Sequence, residues 1–383
     1  MPCSCMSTCA QTLCMAFDMK TCKNILIISA DYTGHGHKSI TQALCEQFDQ
    51  MGMEVTVADG FLLSGKMLQR MSKAYGPITR RAEFVWRAMY RSSHKKPQRT
   101  EVLARRFIEK GFLRKLEQVR PDVIVSVHSI FNKSITDILK KHKMNIPLVT
   151  VVADLVTIPA LWANPDAALT LCPTPESKDF CLARGLDESR LAVTGFPVRS
   201  RFYKQHQTGD GKKNCLVMSG GEGSGKLEKT VQILLENFDF NLFVIAGRNQ
   251  ALKRKLERQT GEQYPGRVNV LGFVTDIEKY MHQSHLAITR GSPNVLMECV
   301  ASRLPVVIVQ ALPGQEEGNP GCMEQNGLGV YCPELERLEG VVRQLMENDG
   351  QRLEQIKQNQ KAYADAAIVP RISEMIVKTA VGN

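Results

Sequence analysis

Short apolar runs alternate with longer amphipathic segments along most of the chain. In the first half, strand-like runs lie at 24–30, 55–58, 123–127, 148–152, 168–171 and 191–193. In the second half they lie at 215–218, 242–246, 268–271, 286–288 and 306–309, and helices are predicted between about 334 and 380. This alternation is typical of parallel sheets that are covered by helices on both faces.

A polar segment at 203–214 interrupts the pattern, and we interpret it as a linker. The sequence therefore predicts an α/β protein with two Rossmann-like, doubly wound domains, at 23–202 and 215–365. Ligands of such sheets bind at the carboxyl ends of the strands, so the two domains are expected to face each other across a cleft. A last helix at 366–383 is free to pack back on the first domain.

Composition narrows the class of protein. Among 383 residues, 43% are hydrophobic and 23% are charged, which argues against intrinsic disorder and a coiled coil. No run of about 18 apolar residues occurs, so no transmembrane helix is expected. Five of the twelve cysteines fall within 1–22, where irregular spacing without a nearby histidine disfavours zinc. We expect 1–22 to be a disordered leader, and the other cysteines to be buried apolar thiols.

The positive charge is concentrated in one block. The chain carries 49 Lys and Arg against 39 Asp and Glu, a net of +10, but residues 61–120 alone hold 16 against 4, or +12. The remainder is 33 against 35, or −2. Apolar and aromatic residues interleave with these cations, which suits an amphipathic helix on an anionic membrane. The candidate membrane-binding residues are Lys66, Arg70, Lys73, Arg80, Arg81, Trp86, Arg87 and Arg91.

Two other interpretations of the block stay open. It is also compatible with an ordinary solvated basic helix face. A nucleic-acid surface is disfavoured because no nucleic-acid-binding module accompanies the charge.

The loop after the first strand is rich in glycine and histidine. Gly34 and Gly36 permit a tight turn, and the helix that begins near His37 directs its free N–H groups toward the cleft. His37 is placed for acid-base chemistry, although a helix-capping role explains its position equally well.

Three loops in the second half carry candidate binding groups. Residues 219–225 contain four glycines between a strand and a helix, which suits a phosphate cradle; a flexible turn is the alternative. Arg290 follows a strand and is a candidate phosphate ligand, and Glu298 is a candidate for the two hydroxyls of a ribose unless it is simply a solvated helix residue. The polar loop 313–319 offers amide and carboxylate groups to a sugar.

These motifs occur in an order that resembles the diacylglycerol glycosyltransferases, a family that includes monogalactosyldiacylglycerol synthases and processive diacylglycerol glucosyltransferases. The matching elements are GxGH after the first strand, the glycine-rich loop, TR…E at 289–298 and PGQEEGN at 313–319. Further matching segments lie at 151–155, 161–162, 172–174 and 193–199, so the resemblance covers roughly residues 24–345.

The resemblance implies a GT-B fold and an inverting transfer of a hexose from UDP-glucose or UDP-galactose to diacylglycerol or a related lipid. It implies no cofactor beyond the UDP-sugar and no metal. From the basic block and the lack of a transmembrane run, we expect a peripheral position on the cytoplasmic side of a membrane and no nucleic-acid partner. The catalytic candidates are His37 and Asp154, between which the sequence does not choose. The donor-binding candidates are Gly220, Gly221, Gly223, Phe273, Val274, Arg290, Ser292, Glu298, Gln315, Glu316 and Glu317.

The chain departs from the family pattern at two loops. It has Arg-Gly-Ser-Pro at 290–293 where the family usually has Lys or Arg followed by Pro-Gly-Gly, and Ile158 precedes Pro159 where a histidine is common. These departures keep open the alternative of a non-catalytic protein that binds nucleotide-sugar or lipid. An enzyme resembling UDP-N-acetylglucosamine 2-epimerase is a second alternative, because it shares the two-domain plan.

Overall fold

The computed structural model of the chain describes residues 22–30, 35–63, 97–204, 213–219 and 226–382. Several sequence expectations lie outside these ranges: the leader up to residue 21, the eight candidate membrane-binding residues, most of the linker, and Gly220, Gly221 and Gly223 of the glycine-rich loop. One leader residue lies inside them. Cys22 is buried in the same apolar core as Ile25 and Ile27. It is therefore part of the folded chain, and the expected disordered leader cannot extend to residue 22.

The first six strands form one parallel sheet. They are β1 Asn24–Ser29, β2 Glu54–Asp59, β3 Val123–Ser126, β4 Leu148–Val151, β5 Leu169–Cys172 and β6 Leu191–Val193. Their order is β2-β1-β3-β4-β5-β6, with Ile25 paired to Val55 on one side and to Val123 on the other. We call this sheet and its helices the first domain. The chain reverses its winding between β1 and β3, and that point is where such sheets bind ligands.

The next six strands form a second parallel sheet. They are β7 Asn214–Met218, β8 Asn241–Ile245, β9 Val268–Leu271, β10 Leu286–Arg290, β11 Val306–Gln310 and β12 Gly329–Tyr331. The order β12-β11-β10-β7-β8-β9 is that of a Rossmann sheet, with its switch point between β7 and β10. We call this sheet and its helices the second domain. The predicted strands lie within one or two residues of those observed, except β12, which the apolar pattern did not predict.

Helices cover both faces of both sheets. In the first domain they are α1 His35–Gln50, α2 Gly60–Leu63, α3 Pro97–Val119, α4 Asn132–Lys141 and α5 Pro175–Leu182. In the second half they are α6 Lys226–Asn237, α7 Gln250–Gln263, α8 Ile277–His282, α9 Pro293–Ala301, α10 Asn319–Gln325, α11 Leu338–Tyr363 and α12 Ile368–Val381. Non-helical backbone at residues 347–350 interrupts α11. Within the described ranges, no helix is long and apolar enough to span a bilayer.

Single 3₁₀ turns connect several of these elements. They lie at Ser129–Phe131, Ala160–Trp162, Glu188–Arg190, Ser200–Tyr203 and Leu335–Arg337. Local sequence accounts for the sharp start of α5. Thr174 and Ser177 form a reciprocal capping box, and Pro175 occupies the first turn, where its missing N–H costs nothing.

Strand β1 illustrates why the sheet needs helices on both faces. Ile25 and Ile27 belong to one apolar core, and Leu26 and Ile28 belong to a second core on the opposite face. Each of these side chains is at most 1% exposed. Because full burial of such a side chain stabilises the fold by about 1.5–3 kcal/mol, a continuous apolar strand favours the doubly covered sheet.

The C-terminal helix α12 joins the first domain. It packs against α1 and β3, and its Ile372 and Ile376 are fully buried in the same core as Ile25. Gly195 has φ of +87°, and an added Cβ there would lie 2.5 Å from Cδ1 of Ile368. The chain therefore crosses from the second domain back to the first.

The cysteines outside the leader are mostly buried. Of the seven, six are buried and Cys45 is partly exposed, and all are free thiols. The expectation that they serve as small apolar core residues is met by all but Cys45.

Candidate active site

A cleft of about 630 Å³ lies between the two domains, at the carboxyl ends of both sheets. Residues from α1, from the loop after β4 and from the segment before the linker line one wall, and the second domain supplies the other. The candidate residues that line it are His37, Asp154, Phe273, Val274, Arg290, Ser292, Glu298, Gln315 and Glu316. Glu317 is exposed and is not among the lining residues, so the structure does not bring it to the predicted site.

His37 lies in the first turn of α1, and a backbone carbonyl beside it fixes its tautomer. Its Nδ1–H donates a 2.7 Å hydrogen bond to the carbonyl oxygen of Val127, which follows β3. A carbonyl only accepts, so neutral His37 keeps a free lone pair on Nε2. Burial lowers the pKa of His37 to about 4, although the bond to Val127 opposes the shift. The imidazole is therefore neutral at ordinary pH, and its side chain bonds a neighbouring segment rather than capping its own helix.

A second histidine packs against the first. The rings of His37 and His128 have centroids 4.5 Å apart, and Phe61 and Phe131 surround His128. Nδ1 of His128 accepts a hydrogen bond from the backbone N–H of Ile130. Burial, and then His37, hold the pKa of His128 well below its usual value, so both rings are neutral.

Asp154 lies just after β4 and is only 3% exposed. Its Oδ2 accepts a 2.7 Å bond from the indole Nε1–H of Trp162, and its Oδ1 accepts a 3.1 Å bond from the side-chain amide of Gln315 in the second domain. Burial raises the pKa of Asp154 to about 6, while those two bonds oppose the rise and Glu316 adds to it. The carboxylate is thus held from both domains.

Arg290 and Glu316 form an ion pair in the opposite wall. Nε of Arg290 lies 3.2 Å from Oε2 of Glu316, and the same oxygen accepts a 2.8 Å bond from the backbone N–H of Leu312. Glu316 is buried. Its Oε2 is therefore directed at groups of the protein itself, and the role of this carboxylate as a sugar ligand stays a prediction. In this arrangement it orients Arg290 at the cleft.

Glu298, on α9, is 7% exposed, so its interpretation as a solvated helix residue is wrong. Its Oε1 accepts a 2.8 Å hydrogen bond from the hydroxyl of Ser39 and lies 3.8 Å from Nη2 of Arg199, and both partners belong to the first domain. Burial raises the pKa of Glu298 to about 7, against the effects of Ser39 and Arg199. At neutral pH this carboxyl is near its midpoint of ionisation.

Phe273 and Arg248 form an open aromatic face. The guanidinium of Arg248 lies 5.2 Å from the centre of the Phe273 ring, which is 43% exposed, and Val274 lines the cleft beside them. A planar base can stack on such a ring, and the cation can act through the ring face. Arg248 was not among the residues predicted from the sequence, although Gly247, two residues after β8, was an available signal; its φ is +61°.

The N-termini of α1 and α9 meet at the cleft. A Cβ added to Gly36 would lie 2.3 Å from Nδ2 of Asn294, so any larger residue there would require the Asn294 side chain to move. The Ser292 side chain makes no capping bond to α9. Both helices therefore direct their positive ends toward one region of the cleft, which favours an anion there.

Ser39 and Arg199 were not predicted from the sequence either. Arg199 is the last residue of the segment 193–199, which matches the diacylglycerol glycosyltransferases. Nothing in the neighbouring sequence indicated which residue it would contact. Ser39 carries no signal at all, because its partner Glu298 is 259 positions away. Across the parts of the chain that the structure describes, no group of three or more His, Cys, Asp or Glu side chains is arranged to hold a metal ion.

Two protein-family models match the chain. The model described as monogalactosyldiacylglycerol (MGDG) synthase matches residues 37–198, and the model described as glycosyl transferases group 1 matches residues 224–348. The chain is 29% identical over 374 residues to monogalactosyldiacylglycerol synthase 2, chloroplastic, of Arabidopsis thaliana, with 91% of this chain and 79% of that protein covered. It is 28% identical over 375 residues to the spinach synthase, with 91% and 71% covered.

Solved structures agree on the architecture. MurG of Acinetobacter baumannii superposes with a TM-score of 0.63 at 16% identity, covering 93% of this chain and 99% of that one. UDP-GlcNAc 2-epimerase of Neisseria meningitidis, solved with UDP-GlcNAc, superposes with a TM-score of 0.60 at 13% identity, covering 92% and 99%. Because transferase and epimerase share this architecture, the superpositions establish the fold alone.

The fold, the cleft and the family matches together define a glycosyltransferase of the GT-B class, as expected from the sequence. The family model described as MGDG synthase spans most of its first domain, and the resemblance to the diacylglycerol glycosyltransferases is confirmed.

Proposed function

We propose that the protein transfers a hexose, with inversion, from a UDP-sugar to the free hydroxyl of diacylglycerol. The names of the relatives favour galactose over glucose. The observation that carries the proposal is the composition of the cleft: a neutral histidine with a free Nε2 on one wall, and Arg290, Glu298 and Phe273 on the other.

His37 is our candidate for the general base. Its Nε2 accepts the proton of the lipid hydroxyl while the hydroxyl oxygen attacks the anomeric carbon and the bond to UDP breaks. A pKa of about 4 keeps the ring neutral and ready to accept. The diphosphate of a bound donor brings negative charge near the ring, which favours the imidazolium and makes His37 a stronger base when it is needed.

The departing UDP gains negative charge, and the second domain can stabilise it. Arg290, oriented by Glu316, supplies a positive charge beside the N-terminus of α9. Phe273 and Val274 receive the uracil, and the Glu298 carboxylate accepts the ribose hydroxyls. No metal is required by this scheme, so transfer should survive a chelator such as EDTA.

Attachment to the membrane is proposed to be peripheral, through the basic block within 61–120. Each cation near an anionic surface contributes about 1 kcal/mol, and that attraction weakens in salt. Gln in place of Arg80, Arg81, Arg87 and Arg91 should therefore reduce sedimentation with anionic liposomes. Undiminished sedimentation would remove the electrostatic account of the block.

The deciding experiment supplies radiolabelled UDP-galactose or UDP-glucose to the purified protein with anionic liposomes, with and without diacylglycerol. We expect diacylglycerol-dependent label in the lipid phase, mainly from UDP-galactose. Lipid label from UDP-glucose alone would identify glucose, and not galactose, as the transferred sugar. The absence of lipid label from both donors would refute the proposal. In that case, epimerisation of UDP-N-acetylglucosamine would support the epimerase alternative, and UDP binding without turnover would support the non-catalytic one.

A further inference from the structure

The carboxylate of Glu298 is held by the domain that is not expected to bind the donor. Glu298 belongs to α9 of the second domain, yet the hydroxyl of Ser39 on α1 donates to its Oε1 at 2.8 Å. Arg199, also from the first domain, approaches the same oxygen at 3.8 Å. Both contacts cross the cleft, so they form only when the first domain approaches α9.

The other oxygen is left for a ligand. Within the described residues, Oε2 of Glu298 makes no hydrogen bond or ion pair, and Glu298 lines the cleft. Fixing Oε1 limits the rotation of the carboxylate and reduces the conformational entropy that is lost when a ligand hydroxyl binds. A hydrogen bond to the charged form also favours the ionised carboxylate, which is the form that accepts from two hydroxyls.

The surroundings hold Ser39 in place. Gly36, one turn earlier on α1, lies against Asn294 of α9 so closely that a Cβ does not fit. Arg199 is itself fixed by a 3.3 Å bond from its Nη1 to Gln42 on α1 and by the Phe202 ring, 5.1 Å from its guanidinium. Ser39 therefore meets Glu298 from a constrained position rather than as a mobile surface hydroxyl.

We propose that Ser39 is a positioning residue for nucleotide recognition: it orients Glu298 so that Oε2 accepts the ribose hydroxyls, and it makes donor binding depend on the approach of the first domain. This inference rests on the proposed function, because it needs a UDP-sugar in the cleft. It adds a residue of the first domain to the donor site.

The test measures binding of UDP and of 2′,3′-dideoxy-UDP, which lacks both ribose hydroxyls, to the full chain by calorimetry. Loss of one hydrogen bond to a charged group should weaken UDP binding by Ser39→Ala about tenfold. Binding of the dideoxy nucleotide should change by about twofold or less, since the affected hydroxyls are absent. Ser39→Thr keeps the hydroxyl and should retain UDP affinity to within about threefold.

Kinetics provide a second readout that a merely structural role would not give. Ser39→Ala should raise KM for the donor about tenfold and leave kcat within about twofold, as expected for lost binding of ground and transition states alike. Thr260→Val is the matched control. It removes a buried hydroxyl that donates to Leu256 within α7, away from the cleft, and should alter neither KM nor UDP affinity.

The outcomes are distinct. Unchanged UDP affinity in Ser39→Ala, or an equal loss for both nucleotides, overturns the inference and leaves the proposed function intact. A fall in kcat with unchanged KM also overturns it, because Ser39 would then act on the chemical step. Failure of the unaltered protein to bind UDP removes the proposed function and, with it, this inference.

Discussion

The indole of Trp162 donates a 2.7 Å hydrogen bond to the carboxylate of Asp154, eight residues earlier, and both side chains are buried. Burial nevertheless dominates, and it raises the pKa of Asp154 from 3.8 to about 6. A carboxylate in such a position is retained at a cost in stability, which is typical of functional sites.

Asp154→Asn should therefore stabilise the protein at high pH. Between pH 3.8 and 6 the folded chain binds more protons at Asp154 than the unfolded chain, so stability falls as the pH rises through this window and stays lower above it. Removing the charge should raise the free energy of unfolding at pH 8 by about 1–2 kcal/mol. This is less than the full pKa shift of Asp154 implies, because the hydrogen bonds from Trp162 and Gln315 are weaker to an amide than to a carboxylate. Urea titrations at pH 8 and pH 4 measure the difference.

The comparison between the two pH values is decisive. Near pH 4 the carboxyl of the unaltered protein is protonated in the folded state, so the advantage of Asp154→Asn should shrink to a few tenths of a kcal/mol. An advantage that is the same at both pH values, or a variant that is less stable at pH 8, would contradict this account of Asp154.

His37→Gln should separate binding from chemistry. Gln has an amide N–H that can still donate to Val127, but it has no basic nitrogen in place of Nε2. We expect kcat to fall by about 10²–10⁴, the range that general-base catalysis contributes, while UDP affinity changes by less than about threefold. If His37→Gln keeps transfer and Asp154→Asn abolishes it, Asp154 is the base.

The sequence predicted the framework of the fold better than the details of the site. Continuous apolar strands such as β1 require two covering layers, and that requirement alone gives the doubly wound sheets. Strand β12 was missed because three residues, Gly329–Tyr331, carry too little pattern. Nine of the candidate residues predicted from the motif order line the cleft. This agreement follows from the backbone, because the carboxyl ends of the strands converge there independently of side-chain contacts.

What the sequence did not predict depends on packing between distant segments. The sequence named Glu298 as a ribose ligand but left a solvated helix residue as the alternative, because its partners Ser39 and Arg199 lie far away along the chain. The ion pair of Glu316 with Arg290 was not predicted either, because nothing in the local sequence indicated that this carboxylate would lie beside the end of β10. No periodicity encodes such contacts, which arise only when separate parts of the chain pack together.

Glu316→Gln should impair Arg290 without removing it. The amide oxygen of Gln can still accept from the N–H of Leu312, but the charge that holds the Arg290 guanidinium is lost. We expect kcat to fall about tenfold, because Arg290 stabilises the leaving diphosphate less well when it is less fixed. Steady-state kinetics check this, with Glu317→Gln, at the exposed neighbouring position, as the matched control. A loss as large in Glu317→Gln would argue against the ion pair as the cause.

Gly36→Ala provides a test of the approach between α1 and α9. Alanine is the better helix former, so within α1 alone the change should stabilise by about 0.5–1 kcal/mol. The added Cβ would, however, lie 2.3 Å from Nδ2 of Asn294, and relieving that overlap should cost about 1–3 kcal/mol. We therefore expect lower stability and a raised KM for the donor, measured by urea unfolding and by kinetics.

Two companion variants decide whether Asn294 is the cause. Adding Asn294→Ala to Gly36→Ala removes the obstructing amide and should recover most of the lost stability, which is a coupling that a double-mutant cycle measures directly. Gly261→Ala, in α7, places a methyl group where no atom lies within 4 Å, and should stabilise the protein slightly with no effect on KM. If Gly36→Ala behaves like Gly261→Ala, the two helix N-termini are not in the close contact on which the geometry of the cleft depends.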